Sequence, residues 1–178
     1  MEAFWRGGYQ ATSLDDIMVA TGMNRASLYA TFGDKRSLFL RCLELYMANF
    51  EARAGAMMAG QAKVRSAMAK LLDISVARLT DPSMPPGCLR TAATLECAGM
   101  DVVIAEKLVE SNRRFESVII ARLDQAQRQG DLPAGEDPVA LGRYFAGIID
   151  GMIVLARTDA DKKTLKSMAD YAMRALPD

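Results

Sequence analysis

Gly22 and Gly33 constrain the fold of this chain more than any other feature, because they leave room for only one short helix between them. Glycine is the residue that most often follows the end of a helix, since it adopts the left-handed backbone conformation without steric cost. Asn24 stands just after Gly22 and is a favoured N-cap residue. The segment therefore predicts a helix that begins at Arg25 and ends at Phe32.

A helix is also predicted on each side of this segment. Thr12 is a plausible N-cap for the preceding helix, because acids occupy the first turn after it, where the helix dipole favours negative charge. Asp34 caps the following helix, which is apolar along one face at the helical period. Short helices in such close succession have the outline of a helix-turn-helix, the unit that many proteins place in the major groove of DNA. The residues of the apolar face are Leu38, Phe39, Cys42, Leu43, Tyr46, Met47 and Phe50.

The rest of the chain also carries helix signals, and the alternation typical of strands is nowhere sustained. We therefore expect an all-α fold of nine helices, with a small N-terminal domain at residues 1–46 and a helical body at residues 47–178. Besides the helices above, the predicted ones cover about residues 1–7, 61–79, 88–99, 101–130, 138–157 and 164–176, with breaks rich in proline or glycine at 80–87 and 130–138.

The composition excludes several classes of function. The chain has no histidine, which removes Ser-His-Asp and Cys-His catalysis and imidazole metal sites, and no glycine-rich phosphate loop is found. We expect neither an enzyme nor a bound cofactor or metal. No apolar run is expected to reach the length that spans a bilayer, and no signal-peptide pattern is found, so we expect no membrane partner. Three widely spaced cysteines do not suggest disulfides, which favours the reducing cytoplasm.

The charge balance limits how the chain can bind a polyanion. It has 22 basic and 22 acidic residues and a formal net charge of zero, so any nucleic-acid binding must come from local placement of charge. Residues 21–39 carry only Arg25, Lys35 and Arg36 against Asp34. Geometry rather than bulk charge would have to hold the DNA.

The segment FWRGGYQATSLDDIMVATGMNRASLYATFGDKRSLF closely resembles the N-terminal DNA-binding domain of the tetracycline-repressor (TetR/AcrR) family of bacterial regulators. The resemblance implies a TetR-like architecture whose helix-turn-helix binds a double-stranded, near-palindromic DNA operator. It also implies that the body binds a small-molecule effector and forms a homodimer through its last two helices. The matching residues, in a fixed order, are Gly8-Tyr9, Ala11-Thr12-Ser13, Asp16-Ile17, Gly22, Ser27-Leu28-Tyr29, Phe32, Lys35 and Leu38-Phe39.

The start of the third helix holds the candidate base-reading residues, because a recognition helix directs its N-terminal residues at base edges. Arg25 can donate two hydrogen bonds to guanine, and Ser27 can reach a base or a phosphate. Ala26 and Ala30 are small enough to allow close approach or to contact a thymine methyl group.

Other candidates face the DNA backbone. Tyr29 and Thr31 offer hydroxyl groups to phosphates, and Lys35 stands where the family's lysine holds a phosphate. Thr12 and the amide groups at the start of the second helix are expected to do the same on the flanking strand. Family members carry a longer, often basic segment before this region, so we expect a truncated first helix. The alternatives are a weaker hold on DNA and a sequence whose start was assigned late or trimmed.

The eighth predicted helix is apolar nearly all round. A terminal pair of helices in a small protein cannot bury all of this apolar surface internally, so the excess favours a subunit interface. Small residues would let a second helix come close. The alternative is a tightly packed internal helix. The interface candidates are Leu141, Phe145, Gly147, Ile148, Ile149, Gly151 and Met152.

The resemblance also implies a central effector pocket. Methionine suits a varied apolar ligand, although twelve methionines are more often ordinary core. Glu96 is included as a candidate buried carboxylate. The candidate lining residues are Met57, Met58, Met68, Leu71, Leu72, Leu95, Glu96, Phe115 and Ile119.

Cys88 follows Pro85-Pro86-Gly87 and opens a helix, a position that favours the thiolate form of cysteine, so it is a candidate reactive thiol. The alternative is a small buried cysteine. Together with the residues, the resemblance implies a transcriptional repressor that a small molecule releases from its operator. The competing hypothesis is a ligand or thiol-redox sensor with weak or lost DNA binding.

Overall fold

The computed structural model describes residues 1–97, 99, 101–158 and 160–177. Within these residues it contains nine α-helices, a short 3₁₀ turn at Met173–Ala175 and no strand, which confirms the all-α prediction. The helices are α1 Glu2–Gly7, α2 Leu14–Thr21, α3 Arg25–Phe32, α4 Lys35–Ala59, α5 Val64–Leu79, α6 Leu89–Cys97, α7 Val102–Arg128, α8 Pro138–Thr158 and α9 Lys162–Ala172.

Most predicted helix ends are confirmed, and three helices are corrected. The ninth helix begins at Lys162, after the N-cap Asp161, rather than at residue 164, and it ends at Ala172, where a 3₁₀ turn follows, rather than at residue 176. The N-cap of α2 is Ser13, not Thr12. The fifth helix starts at Val64 rather than near residue 61, because the chain first completes a turn in which the Gln61 N–H donates to the Met58 carbonyl. The predicted sixth helix and the turn at 158–163 include Ala98 and Asp159, which lie outside the described residues.

Residues 1–48 and 88–112 form one compact unit. Aromatic rings join α1 to α4 within it. The Phe4 ring meets that of Phe39 edge-on at 5.3 Å between centroids, and the Trp5 ring meets that of Tyr46 at 5.0 Å. Such pairs stabilise packing beyond the area they bury. The predicted division between residues 46 and 47 stays a prediction.

Residues 49–87 and 113–178 form the second compact unit. In it α5, α8 and α9 pack on one another. The core of this unit is apolar. In each of the following members at most 1% of the residue surface is exposed: Met68, Leu72, Phe145, Met152 and Leu165.

Among the described helices, α8 is long and apolar enough, by length and composition, to cross a membrane. The prediction that no segment reaches this length was therefore wrong. One such helix is weak support for a membrane span, since core helices pass the same test. One side of α8 is indeed buried within the second unit, against α5 and α9.

At Gly142, α8 lies close to the backbone of α7. A Cβ atom at this position would overlap Ile120 Cγ1 and lie 3.3 Å from the Ile120 Cα and backbone nitrogen. Backbone atoms cannot move aside as a flexible side chain does, so the two helices pack at this distance only because residue 142 has no side chain.

Gly142→Ala should lower the free energy of unfolding by about 1–3 kcal/mol, because it overpacks this helix crossing. Gly55→Ala is the matched control, since a Cβ at this α4 position meets nothing within 4 Å. It should stabilise the protein by roughly 0.5–1 kcal/mol through helix propensity. Urea denaturation measures both, and equal stability of the two variants would contradict the packing argument.

Candidate nucleic-acid interface

The helix α3 is fixed at both ends and buried on one side only. The Asn24 side chain accepts a hydrogen bond from the Ser27 N–H at 2.9 Å, and Gly33 follows the last turn with a φ of +82°. Leu28 is buried and holds the helix to the unit. The rest of the helix surface is open, and the predicted DNA-contacting residues of α3 are all exposed: Arg25, Ala26, Ser27, Tyr29, Ala30 and Thr31.

A reciprocal pair of hydrogen bonds fixes the start of α2. The Ser13 Oγ accepts from the Asp16 N–H, and the Asp16 carboxylate accepts from the Ser13 N–H at 2.8 Å. The Ser13 hydroxyl also donates to this carboxylate, and these bonds lower the pKa of Asp16 below its usual value. At the other end Gly22 takes the left-handed conformation and turns the chain into α3.

Arg25 has an acidic neighbour on α2. Its guanidinium lies 3.8 Å from the Asp15 carboxylate, and both side chains are largely exposed. Exposed pairs at this distance contribute little free energy. The guanidinium can therefore leave Asp15 for a stronger partner at small cost.

Thr12 is buried, with 3% of its surface exposed. Its hydroxyl lies within hydrogen-bond distance of two carbonyl oxygens, that of Gly8 at 2.6 Å and that of Ala3 at 3.2 Å. This placement ties α1 to the following turn. It does not favour the predicted phosphate contact.

Lys35 lies at the first turn of α4, beside the chain segment that joins α1 to α2. Its ammonium donates to the Gln10 carbonyl at 3.1 Å and sits 4.9 Å from the centre of the Tyr9 ring. The side chain is only partly buried. A carbonyl and a ring face attract the ammonium without neutralising its charge, which stays available to an anion.

Glu96 also binds the segment that joins α1 to α2. One carboxylate oxygen accepts from the Tyr9 N–H at 2.8 Å, and the other accepts from the Gln10 N–H at 2.6 Å. Sequence reasoning assigned Glu96 to an effector pocket and missed this contact. Its partners lie 86 and 87 positions away in the sequence, so no local sequence pattern predicts these hydrogen bonds.

The other predicted effector-binding residues do not lie together in one unit. Leu95 belongs to the first unit and is 70% exposed. Met57 is half-buried in the second unit. The remaining six are buried there, and they are Met58, Met68, Leu71, Leu72, Phe115 and Ile119. Their role in binding an effector stays a prediction.

The predicted interface residues of α8 fall on two sides of the helix. The protomer's own core covers four of them, which a second chain therefore cannot reach directly: Leu141, Phe145, Ile149 and Met152. Gly147, Ile148 and Gly151 lie on the other side. They continue into a stripe that is exposed or half-exposed and consists of Tyr144, Gly147, Ile148, Gly151, Val154 and Leu155.

The thiol groups are buried. Cys88 precedes α6 and is 5% exposed, and the Tyr46 hydroxyl donates to its Sγ at 3.2 Å. Burial, with the charges of Glu96 and Asp101 adding to it, raises the pKa of Cys97 to about 11, so Cys97 stays protonated near neutral pH. The reactivity of Cys88 remains a prediction.

Comparison with known proteins covers nearly the whole chain. Residues 1–42 match the family described as bacterial regulatory proteins, tetR family, and residues 62–172 match the family described as tetracyclin repressor-like, C-terminal domain. The HTH-type transcriptional repressor ComR of Escherichia coli (strain K12) is 33% identical over 181 residues, which span 100% of this chain and 85% of ComR.

A solved structure gives the same result for the fold. A cysteine mutant of the TetR family transcriptional regulator CifR, complexed with 26-bp double-strand operator DNA, superposes with a TM-score of 0.92. The two chains are 28% identical, and the match covers 99% of this chain and 92% of CifR.

Asp16→Asn tests the hydrogen bonds that fix α2. Because the folded-state pKa of Asp16 is lowered, its stabilising effect is complete above the unfolded value of about 3.9 and is lost as pH falls through the folded-state pKa. The melting temperature of D16N should lie below that of the unaltered protein near pH 7, and the two should converge as pH falls. Asp15→Asn, in the same helical turn, is the control and should show a smaller difference. A gap that persists in acid would contradict the assignment.

Proposed function

Because this chain belongs to the TetR family of bacterial regulators, which makes it a DNA-binding transcriptional regulator, we propose that it is a repressor that a small molecule releases from a near-palindromic operator. The observation that carries the proposal is the open face of α3, on which the polar and small side chains are exposed while Leu28 anchors the helix. We assign residues 1–46 to DNA binding and 47–178 to effector binding and dimerisation.

Arg25 and Ser27 read bases in this proposal. Both stand in the first turn of α3, the part of a recognition helix that meets base edges. Arg25 exchanges its weak contact with Asp15 for two hydrogen bonds to guanine, which are more favourable in the groove. Ala26 and Ala30 let the helix backbone come close to the bases.

The phosphate contacts come from Tyr29, Thr31 and Lys35 and from backbone amide groups at the start of α2. Helix N-termini bind phosphates through oriented N–H groups and need no formal charge. The chain is neutral overall, so these few fixed groups must supply the attraction. Two copies of the chain double every contact.

A homodimer is proposed through the exposed stripe of α8. The stripe is apolar and includes two glycines four positions apart, Gly147 and Gly151, which allow a second helix to pack closely. It also accounts for the apolar character of α8 on the side that the protomer leaves uncovered. A two-fold dimer presents two α3 helices to the two half-sites of a near-palindromic operator.

The effector is proposed to bind in the body, where buried methionines offer adaptable packing around an apolar molecule. The similarity to ComR, which covers the whole of this chain and is to a protein described as a transcriptional repressor, supports repression over activation. A regulator of this kind acts in the cytoplasm, where the DNA is. The open and polar face of α3 favours this function over a sensor that has lost DNA binding.

Arg25→Ala should weaken binding to the preferred operator by about 1–3 kcal/mol and relax the preference at one base position of each half-site. Arg53→Ala, which removes an exposed arginine from the second unit, is the control and should change neither. The measurement is selection of duplexes from a random library, followed by binding titrations of the enriched sequence. Enrichment of the same sequence by both variants, with equal affinity, would refute base reading by Arg25.

Ile148→Glu should convert the dimer into a monomer, because it places a charge in the centre of the proposed apolar interface. Val139→Glu changes the same helix outside the stripe and should leave the dimer intact. Light scattering coupled to size-exclusion chromatography reports the mass. If I148E stays folded and dimeric, the dimer does not use this stripe.

A further inference from the structure

The carboxylate of Glu96 occupies a site made by two neighbouring backbone amides. Each of its oxygens accepts one hydrogen bond, from Tyr9 N–H at 2.8 Å and from Gln10 N–H at 2.6 Å. Charge-assisted bonds of this kind are stronger than neutral ones. The contact therefore fixes the segment between α1 and α2 to the last turn of α6.

Gly8 makes this approach possible. Its φ is +80°, and a Cβ atom on it would lie 2.7 Å from the nearer Glu96 oxygen. A side chain at position 8 would therefore both strain the backbone and displace the carboxylate. The glycine and the glutamate form one structural feature, although they are far apart in the sequence.

The same segment holds Lys35 from the other side. The Gln10 N–H donates a hydrogen bond to the Glu96 carboxylate, and the Gln10 carbonyl oxygen accepts one from the Lys35 ammonium. The Tyr9 ring lies under the Lys35 ammonium and is packed 4.8 Å, centre to centre, from the buried ring of Phe39. Glu96 thus lies one peptide group away from the carbonyl that positions the ammonium.

We propose that Glu96 is a positioning residue for DNA binding. Its carboxylate fixes the Tyr9–Gln10 segment, and this segment in turn keeps the Lys35 ammonium at the place where it meets a DNA phosphate. This inference rests on the proposed contact of Lys35 with a phosphate. Glu96 itself does not touch DNA. Its effect on DNA binding is expressed through Lys35, which distinguishes it from a residue that merely stabilises the fold.

A double-mutant cycle tests the proposal with Glu96→Gln, Lys35→Met and the double variant. In E96Q the glutamine keeps one acceptor oxygen but turns an NH₂ group towards the second backbone N–H. In K35M the methionine keeps an apolar stem over the Tyr9 ring but carries no charge. The probe is the duplex that the unaltered protein enriches from a random library, titrated by fluorescence anisotropy at several salt concentrations. Glu106→Gln, an exposed acid of the same unit, controls for the lost negative charge.

We expect Lys35→Met to lower the slope of log affinity against log salt by about one per subunit. Glu96→Gln should weaken binding roughly two- to tenfold, lower the slope in the same direction, and have no further effect when Lys35 is already replaced. Glu106→Gln should not weaken binding. In the free protein, hydrogen exchange of the Tyr9 and Gln10 amides should be faster in E96Q than in E106Q.

Other outcomes overturn the proposal in distinguishable ways. Additive effects of E96Q and K35M would show that Glu96 acts on DNA binding by another route, and unchanged binding by a folded E96Q would show that it does not act at all. If K35M alone changes neither affinity nor slope, the phosphate contact is refuted and the positioning role with it. If the unaltered protein enriches no sequence, operator binding itself fails. Circular dichroism checks folding, and Glu96→Asp, which keeps the charge on a shorter stem, replaces E96Q if that variant does not fold.

Discussion

Every helix begins with N–H groups that lack an acceptor in the helix, and the side chains that supply one determine where the elements of this protein begin. Six starts are capped by a residue directly before the helix: Ser13, Asn24, Asp34, Asp101, Asp137 and Asp161. Two further contacts come from a distance. Asp131 accepts from the first N–H of α5 at 2.5 Å, and Glu96 accepts from the segment between α1 and α2. The local caps fix where helices begin, and the distant ones fix which segments lie together.

This distinction explains how much of the structure can be predicted from the sequence. Asn24 and Gly33 predict both ends of α3, because each acts on the backbone directly beside it. Thr12 and Ser13 are equivalent as caps by residue type, and only the fold decides between them: the Thr12 hydroxyl is taken up by carbonyls of α1 and the following turn. The role of Glu96 could not be predicted, since its partners are backbone groups, which carry no sequence signature.

The apolar helix α8 shows the same limit for packing. Its composition indicates that both sides of the helix are apolar enough to be buried, but it does not indicate which side faces the core. Phe145 and Met152 point into the protomer, whereas Gly147 and Gly151 lie on the uncovered side. The close contact at Gly142 fits this orientation, because the missing side chain lets α8 lie against the α7 backbone around Ile120. A glycine pattern becomes informative only when the neighbouring helix is known.

The neutral charge of the chain gives the position of each cation unusual weight. A strongly basic protein attracts DNA in many orientations, so the displacement of one lysine costs it little. Here the α3 region has few cations, and Arg25 is already beside an acid. Binding must then come from groups that are placed correctly before DNA arrives, since ordering a side chain on binding costs free energy. The network of Glu96, Gln10 and Lys35 provides such preorganisation for the ammonium at the start of α4. In the proposed mode of DNA binding, a low charge and a lysine held in place in advance are therefore two aspects of one arrangement: with few cations available, each contributes most when its position is fixed before DNA arrives.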